Sequence, residues 1–177
     1  MTAITEAQTA LSIIIPTFNE RGTILTVVAK LIAAPIPVQR LQIVIINDGS
    51  DDGSLEILDD LQASPKDTLK PHFDRLEVGP DHRFRDTVEI SVIHHERNQG
   101  KSHAIRTGIK ALTGDVTLVQ DADLEYDPQD IPTLLHPILT AKADVVYGSR
   151  FRGSSRRVLY FWHAVGNAVV TTLSNIV

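Results

Sequence analysis

Short, nearly continuous apolar runs alternate along this chain with segments of helical period, and that alternation restricts the fold more than any other feature of the sequence. Leu11-Ser12-Ile13-Ile14-Ile15 is rich in β-branched residues and is stopped by Pro16, the signature of a buried strand. Residues 20–34 then carry Ile24, Val27, Val28 and Leu31 at the spacing of one helix face, and end before Pro35 and Pro37. Residues 41–46 read as a second strand, closed by Asn47-Asp48-Gly49, and Ser50-Asp51-Asp52 offers capping side chains for a helix through Leu61. Residues 88–94 read as a third strand. Residues 101–112 read as a helix with Ala104, Ile105, Ile109 and Leu112 on one face, and 116–120 as a fourth strand. Residues 128–141 follow as a helix that Pro132 and Pro137 split or kink, and 143–147 as a fifth strand.

Strands alternating with helices give an α/β fold: a mostly parallel sheet with helices on both faces. Right-handed crossovers then bring the carboxyl ends of the strands to one edge, where ligands of such sheets bind. Two segments fall outside the pattern. Residues 64–87 form an insertion that is long for a connection and rich in charge and proline; it reads as a mobile surface excursion, with a lid as the alternative. Residues 158–177 contain no Lys, Arg, Asp or Glu, but His163, Gly166, Asn167, Thr171, Thr172, Ser174 and Asn175 suit a bilayer span poorly. Residues 155–177 therefore read as an amphipathic helix lying on the domain or on a membrane surface, behind Arg156 and Arg157. The domain itself is expected over 11–154, after a disordered tail over 1–10.

The polar residues fall where such a sheet needs them. The first strand ends in Pro16-Thr17-Phe18-Asn19-Glu20 and the second in Asn47-Asp48-Gly49-Ser50. The third leads into Glu96-Arg97-Asn98-Gln99-Gly100-Lys101, the fourth into Asp121-Ala122-Asp123, and the fifth into Gly148-Ser149-Arg150. Asp121 and Asp123 stand at i and i+2, so an extended segment presents both on one side. Two crowded carboxylates repel, and a hard divalent cation with oxygen ligands resolves the conflict. Solvated loop acids are the plain alternative, as a turn and helix cap are for Asp48. Lys101 at a helix N-terminus is unfavourable for the dipole and so has another partner, such as a phosphate. This is not a P-loop, because the Gly-x-x-x-x-Gly-Lys-Ser/Thr spacing is absent. The neighbouring His94 and His95 face opposite ways and make a poor metal site.

A formal net charge of −5 and the lack of a long basic run argue against nucleic acid as a partner. The absence of cysteine excludes disulfides, thiolate metal sites and a cysteine nucleophile. Met1 to Ala10 lacks the basic start of a signal peptide.

Taken in order, these clusters resemble the family 2 glycosyltransferases with the nucleotide-sugar-binding fold called GT-A. The matching pieces are Ile15-Pro16-Thr17-Phe18-Asn19-Glu20, the stretch 46–54, Asn98-Gln99-Gly100-Lys101, Asp121-Ala122-Asp123 and Gly148-Ser149-Arg150. Within the family, Asp-Ala-Asp-Leu followed by Gly-Ser-Arg-Phe looks most like the polyprenyl-phosphate sugar transferases, of the dolichol-phosphate and undecaprenyl-phosphate types. The stretch 157–163 looks like the bacterial branch.

The resemblance implies roles for particular residues. Pro16, Phe18 and Glu20 would line a nucleoside pocket, Asp48 would contact base or ribose, and Gly100 and Lys101 would lie near the base or diphosphate. Asp121 and Asp123 would hold Mg²⁺ or Mn²⁺, with Glu125 completing the metal shell. Arg150 would bind the acceptor phosphate, with Arg156 or Arg157. The implied reaction is an inverting transfer of a hexose from a GDP- or UDP-linked donor to a polyprenyl phosphate. It would take place on the cytoplasmic face of a membrane, where the protein would sit peripherally. Family members continue past the position of Val177 with an acceptor-side motif and often membrane helices, so the chain reads as a fragment or a shortened paralogue. Its alternatives are a hydroxyl-bearing acceptor, or a donor-binding module without turnover. A sugar-1-phosphate nucleotidyltransferase would need a Gly-rich loop after the first strand, where this chain has Pro16-Thr17-Phe18-Asn19-Glu20.

Overall fold

A computed structural model of the protein describes residues 9–76 and 87–148. The chain divides after Val146 into two units, and of the second only Tyr147 and Gly148 are among the described residues. The first unit runs β1 (Ala10–Thr17), α1 (Ile24–Ala33), β2 (Arg40–Asn47), α2 (Ser54–Ala63), α3 (Pro65–Arg75), β3 (Val88–His94), α4 (Lys101–Ile109) and β4 (Val116–Val119). A 3₁₀ turn (Pro128–Asp130) then leads into α5 (Ile131–Leu139). Among these residues no helix is long and apolar enough to cross a membrane.

The sheet has the order β3-β2-β1-β4, and every pairing is parallel. Ile13 pairs with Ile43 on one side and Leu118 on the other, which makes β1 an interior strand. Its side chains alternate between two cores. Ile13 and Ile15 join Ile43, Ile45 and the buried faces of α1, α2, α3 and α5 in the larger one. Ile14 joins Val44, Ile46 and Ala104 of α4 in the smaller. Burial on both faces explains why β1 and β2 read as nearly continuous apolar runs. β1 starts at Ala10, inside the tail expected over 1–10, because Ala10 pairs with Arg40 and its N–H donates to Asp115 Oδ2 at 2.9 Å. Helix α1 ends at Ala33, and Ala34 is extended (ψ 143°), as a residue before proline prefers.

Three expectations are corrected. Residues 65–75 are not a surface excursion but helix α3, with Pro65 in its first turn and Leu69 wholly buried against the larger core. One buried leucine and an internal Pro71 give this helix almost no apolar stripe to read. Residues 77–86 of that insertion lie outside the described residues. The fifth strand over 143–147 does not form: no strand pairing reaches it, and Val145 and Tyr147 are 64% and 90% exposed. An apolar run becomes a strand only by pairing with a sheet edge, which composition does not encode. Finally, α4 turns Ala104 and Gly108 inward and leaves Ile109 55% exposed. The contact there is set by closeness: a Cβ on Gly108 would lie 2.7 Å from Ile14 Cγ2. The expected amphipathic helix over 155–177 lies outside the described residues.

Candidate functional site

Each strand's exit is fastened to its neighbour's. The Asp48 N–H donates to the Thr17 carbonyl at 2.8 Å, which extends the β1–β2 ladder past the end of β2. Asn19, in the left-handed region at φ 56°, exchanges two bonds with Asp51: its Nδ2 donates to Asp51 Oδ1 at 2.8 Å, and its Oδ1 accepts from the Asp51 N–H at 3.0 Å. Asp52 accepts from the Arg21 N–H and from both the N–H and hydroxyl of Ser54. Burial raises its pKa, but these hydrogen bonds, the Ser54 hydroxyl first, outweigh that and hold Asp52 below the ordinary carboxylate value. The turn after β1 is therefore held against the start of α2. The helix is capped not by a side chain of Ser50-Asp51-Asp52, as expected, but by Gly53 in the left-handed region at φ 88°, and Asp52, one residue earlier, accepts from the Ser54 N–H at 3.0 Å.

Asp48 fastens the second junction. Its buried carboxylate accepts from His95 Nδ1 at 2.7 Å, from the Gln99 N–H at 3.0 and 3.1 Å, and from the Gly100 N–H at 2.7 Å. These contacts use most of the acceptor capacity of a carboxylate. Burial pushes the Asp48 pKa up, but the His95 hydrogen bond, the two backbone donors and the His95 charge together bring it below the ordinary value. With Asp48 ionised, Nδ1 of His95 carries the hydrogen, and Nε2 pairs with the Thr107 hydroxyl at 3.0 Å. The close approach of this turn to the next loop requires glycine. Gly49 has φ 70°, and a Cβ there would stand 2.4 Å from the Arg97 carbonyl carbon. His94 and His95 do diverge, since His94 Nδ1 meets Asn47 Nδ2 at 3.0 Å.

The fourth loop completes the edge. Gln120 is buried; its N–H donates to the Ile14 carbonyl, and its Nε2 donates to the Asp121 carbonyl at 3.2 Å. Asp121 Oδ1 receives the Lys101 ammonium at 2.6 Å, with the two side chains 19% and 58% exposed. Asp123 Oδ1 accepts from the Glu125 N–H at 3.0 Å, and Leu124 between them is left-handed at φ 63°.

These loops enclose a cleft of about 290 Å³. The end of β1 contributes Pro16 and Thr17 and the loop after it Phe18 and Glu20; the loop after β2 contributes Asp48; Asn98 comes from the approach to α4, and Lys101 and Ala104 from α4 itself; and the loop after β4 contributes Asp121, Ala122 and Asp123. Of the expected donor residues, Gly100 is one bond removed, on Asp48, rather than in the lining. Glu125 is also outside the lining, and among the described residues no three His, Asp or Glu gather closely enough to hold a metal alone. Arg150, Arg156 and Arg157 lie outside the described residues. Sequence reasoning missed that His95, paired with Thr107, braces Asp48. The β2–β3 register, which ends at Asn47 and His94, places His95 beside Asp48.

The parallel sheet in the order β3-β2-β1-β4, with helices packed on both faces, has the GT-A fold. The same fold is found in a mannosyltransferase from Pyrobaculum calidifontis solved with GDP-Man and Mn²⁺ (TM-score 0.54, 18% identity, 81% of this chain and 35% of that one). It is found also in S. aureus TarS 1–349 (TM-score 0.53, 18% identity, 84% and 41%). The sequence profile of Glycosyl transferase family 2 matches residues 12–173, and the chain belongs to that family. Among its relatives is an undecaprenyl-phosphate 4-deoxy-4-formamido-L-arabinose transferase of Yersinia pestis (strain Pestoides F), 32% identical over 126 residues, which are 71% of this chain and 32% of the relative. Another is a dodecaprenyl-phosphate galacturonate synthase of Rhizobium johnstonii, 27% identical over 141 residues, 79% of this chain and 36% of the relative. The chain thus spans about a third of the length of these curated relatives.

Proposed function

We propose that the protein binds a GDP- or UDP-linked sugar in this cleft and transfers the hexose, with inversion, to a polyprenyl phosphate at a membrane surface on the cytoplasmic side. The observation that carries the reading is the convergence of the exits of β1, β2, β3 and β4 on one cleft, with Lys101 and the Asp121–Asp123 pair among its walls. The names of the relatives support the choice of acceptor.

Phe18, 45% exposed, offers a ring to a nucleoside base, with Pro16 beside it and Glu20 as an acceptor. Asp48 serves by holding the Gly100–Lys101 junction in place. Lys101 supplies positive charge for the diphosphate. The residues fit Mg²⁺ or Mn²⁺: the donors are hard carboxylate oxygens, and an ammonium already stands on Asp121 as a cation would. Asp121 and Asp123 would hold the ion; Glu125, expected as a further ligand, does not gather with them into a three-acid group. When bound, the ion offsets charge on the departing nucleoside diphosphate.

In the transfer, an acceptor phosphate oxygen forms a bond to the anomeric carbon while that carbon's bond to the diphosphate breaks, and the electron pair leaves with the diphosphate. A phosphomonoester is already ionised near neutral pH, so no protein base is required. Arg150, with Arg156 or Arg157, is assigned to the acceptor phosphate on the resemblance of Gly148-Ser149-Arg150 to the family pattern. A thermal-shift series with UDP, GDP and their common sugars, with and without Mn²⁺, tests donor binding, because a ligand of the native state raises its apparent stability. Radiolabelled donor passing into an organic-extractable, acid-labile lipid tests the acceptor. No shift with any nucleotide would overturn the reading.

A further inference from the structure

Lys101 carries a cation into a place that disfavours one. It is the first residue of α4, where the helix dipole is positive, and the preceding Gly100 N–H is fixed on Asp48. Its ammonium is stabilised there by Asp121, at 2.6 Å. We propose that Lys101 is the resident cation of the acidic rim, occupying Asp121 until a metal–diphosphate pair arrives and then moving from Asp121 to the diphosphate. The inference rests on the nucleotide-sugar reading above and assigns Lys101 a second, earlier task within it.

Three observations carry it. The pair is partly solvated, with Lys101 58% exposed, so it is easily broken; pairs of this kind are worth about two- to fivefold in an equilibrium. The lysine stem is flexible and its ammonium is a point charge with rotatable donors, which suits a move between neighbouring oxygens. The described acids supply no third ligand beside Asp121 and Asp123, and one oxygen of Asp123 already accepts from the Glu125 N–H. A divalent ion takes about six oxygens, so a bare ion competes with Lys101 for Asp121 while gaining few ligands. A diphosphate changes both sides of that competition. It brings oxygens to the ion and gives the displaced ammonium a new anion. Charge is balanced throughout, and no bond is made or broken.

The test measures Mn²⁺ binding by paramagnetic resonance of the free ion, on the whole chain, first with Mn²⁺ alone and then with Mn²⁺ and inorganic pyrophosphate. Lys101→Gln should bind bare Mn²⁺ about two- to fivefold more tightly than the unaltered protein. The same variant should bind Mn²⁺–pyrophosphate more weakly. Lys101→Arg should keep the bare-ion affinity of the unaltered protein, and Asp121→Asn should lose the gain when combined with Lys101→Gln. Equal or weaker bare Mn²⁺ binding by Lys101→Gln overturns the proposal, as does pyrophosphate binding that is unchanged or tighter. The bare-ion arm uses no nucleotide, so its failure removes the exchange and leaves the donor reading to stand or fall on the thermal-shift series.

Discussion

His95 Nδ1 lies 2.7 Å from Asp48 Oδ1, with the two side chains only 8% and 4% exposed. The contact joins the end of β3 to the end of β2, and through Asp48 it reaches the backbone of Gln99 and Gly100, where α4 begins. One buried carboxylate thus decides where Lys101 starts.

Removing that carboxylate strands buried donors. Asp48→Ala should destabilise the fold by about 2–4 kcal/mol, since unsatisfied buried groups cost about 1–3 kcal/mol each and relaxation recovers part. His95→Asn, which keeps a donor near the position of Nδ1, should cost less than His95→Leu. Urea unfolding of the three variants measures this; equal losses for Asn and Leu would dismiss the hydrogen bond as the cause.

The same carboxylate makes a prediction in pH. Asp48 has its folded pKa below the ordinary carboxylate value, which is about 3.9. Its contribution is therefore fully present above that value and is lost as pH falls through the folded one. The stability gap between the unaltered protein and Asp48→Asn should stay constant from neutral pH down to about pH 5 and then narrow. Urea midpoints at successive pH values read the gap directly.

Gly49 and Gly100 should respond differently to alanine. Gly100 has φ 89° with no atom near its missing Cβ, so Gly100→Ala should cost only backbone strain, about 1–3 kcal/mol. Gly49→Ala adds a clash with the Arg97 and Asn98 backbone and should cost clearly more. Thermal midpoints of the two variants rank them.

Asp123→Asn should leave the unfolding midpoint nearly unchanged and weaken Mn²⁺-dependent UDP or GDP binding by at least about tenfold, or 1.4 kcal/mol. Calorimetry with and without Mn²⁺ separates the metal-dependent part. An unchanged affinity would remove Asp123 from the metal site.

Leu69→Ala tests the helix that the sequence hid. As the one wholly buried residue of α3, Leu69 should cost about 2–5 kcal/mol on truncation.

The sheet was legible because β1 and β2 are buried on both faces and so spell their burial in runs of Ile, Leu and Val that only Ser12 and Gln42 interrupt. The rim was legible because parallel strands force their exits together, so Asp48, Lys101 and Asp121 could be grouped without coordinates. What stayed hidden depends on partners rather than on pattern. Helix α3 shows one leucine, α4 meets the sheet through Gly108, and residues 143–147 look like a strand but find no edge. His95 stayed hidden for a related reason: a histidine closing a strand gives no sign that a buried carboxylate is waiting one strand away.

β4 pairs with β1 across a wide gap in the chain, and the bond from Ala10 to Asp115 closes a separation of 105 residues. A contact so distant is slow to form and comes after the local helices. During synthesis, then, β1, β2 and their helices can settle on one another while the cleft still lacks a wall. The cleft acquires its capacity for ligand only when β4 slots in beside β1, so its occupancy doubles as a report that this edge of the sheet has closed.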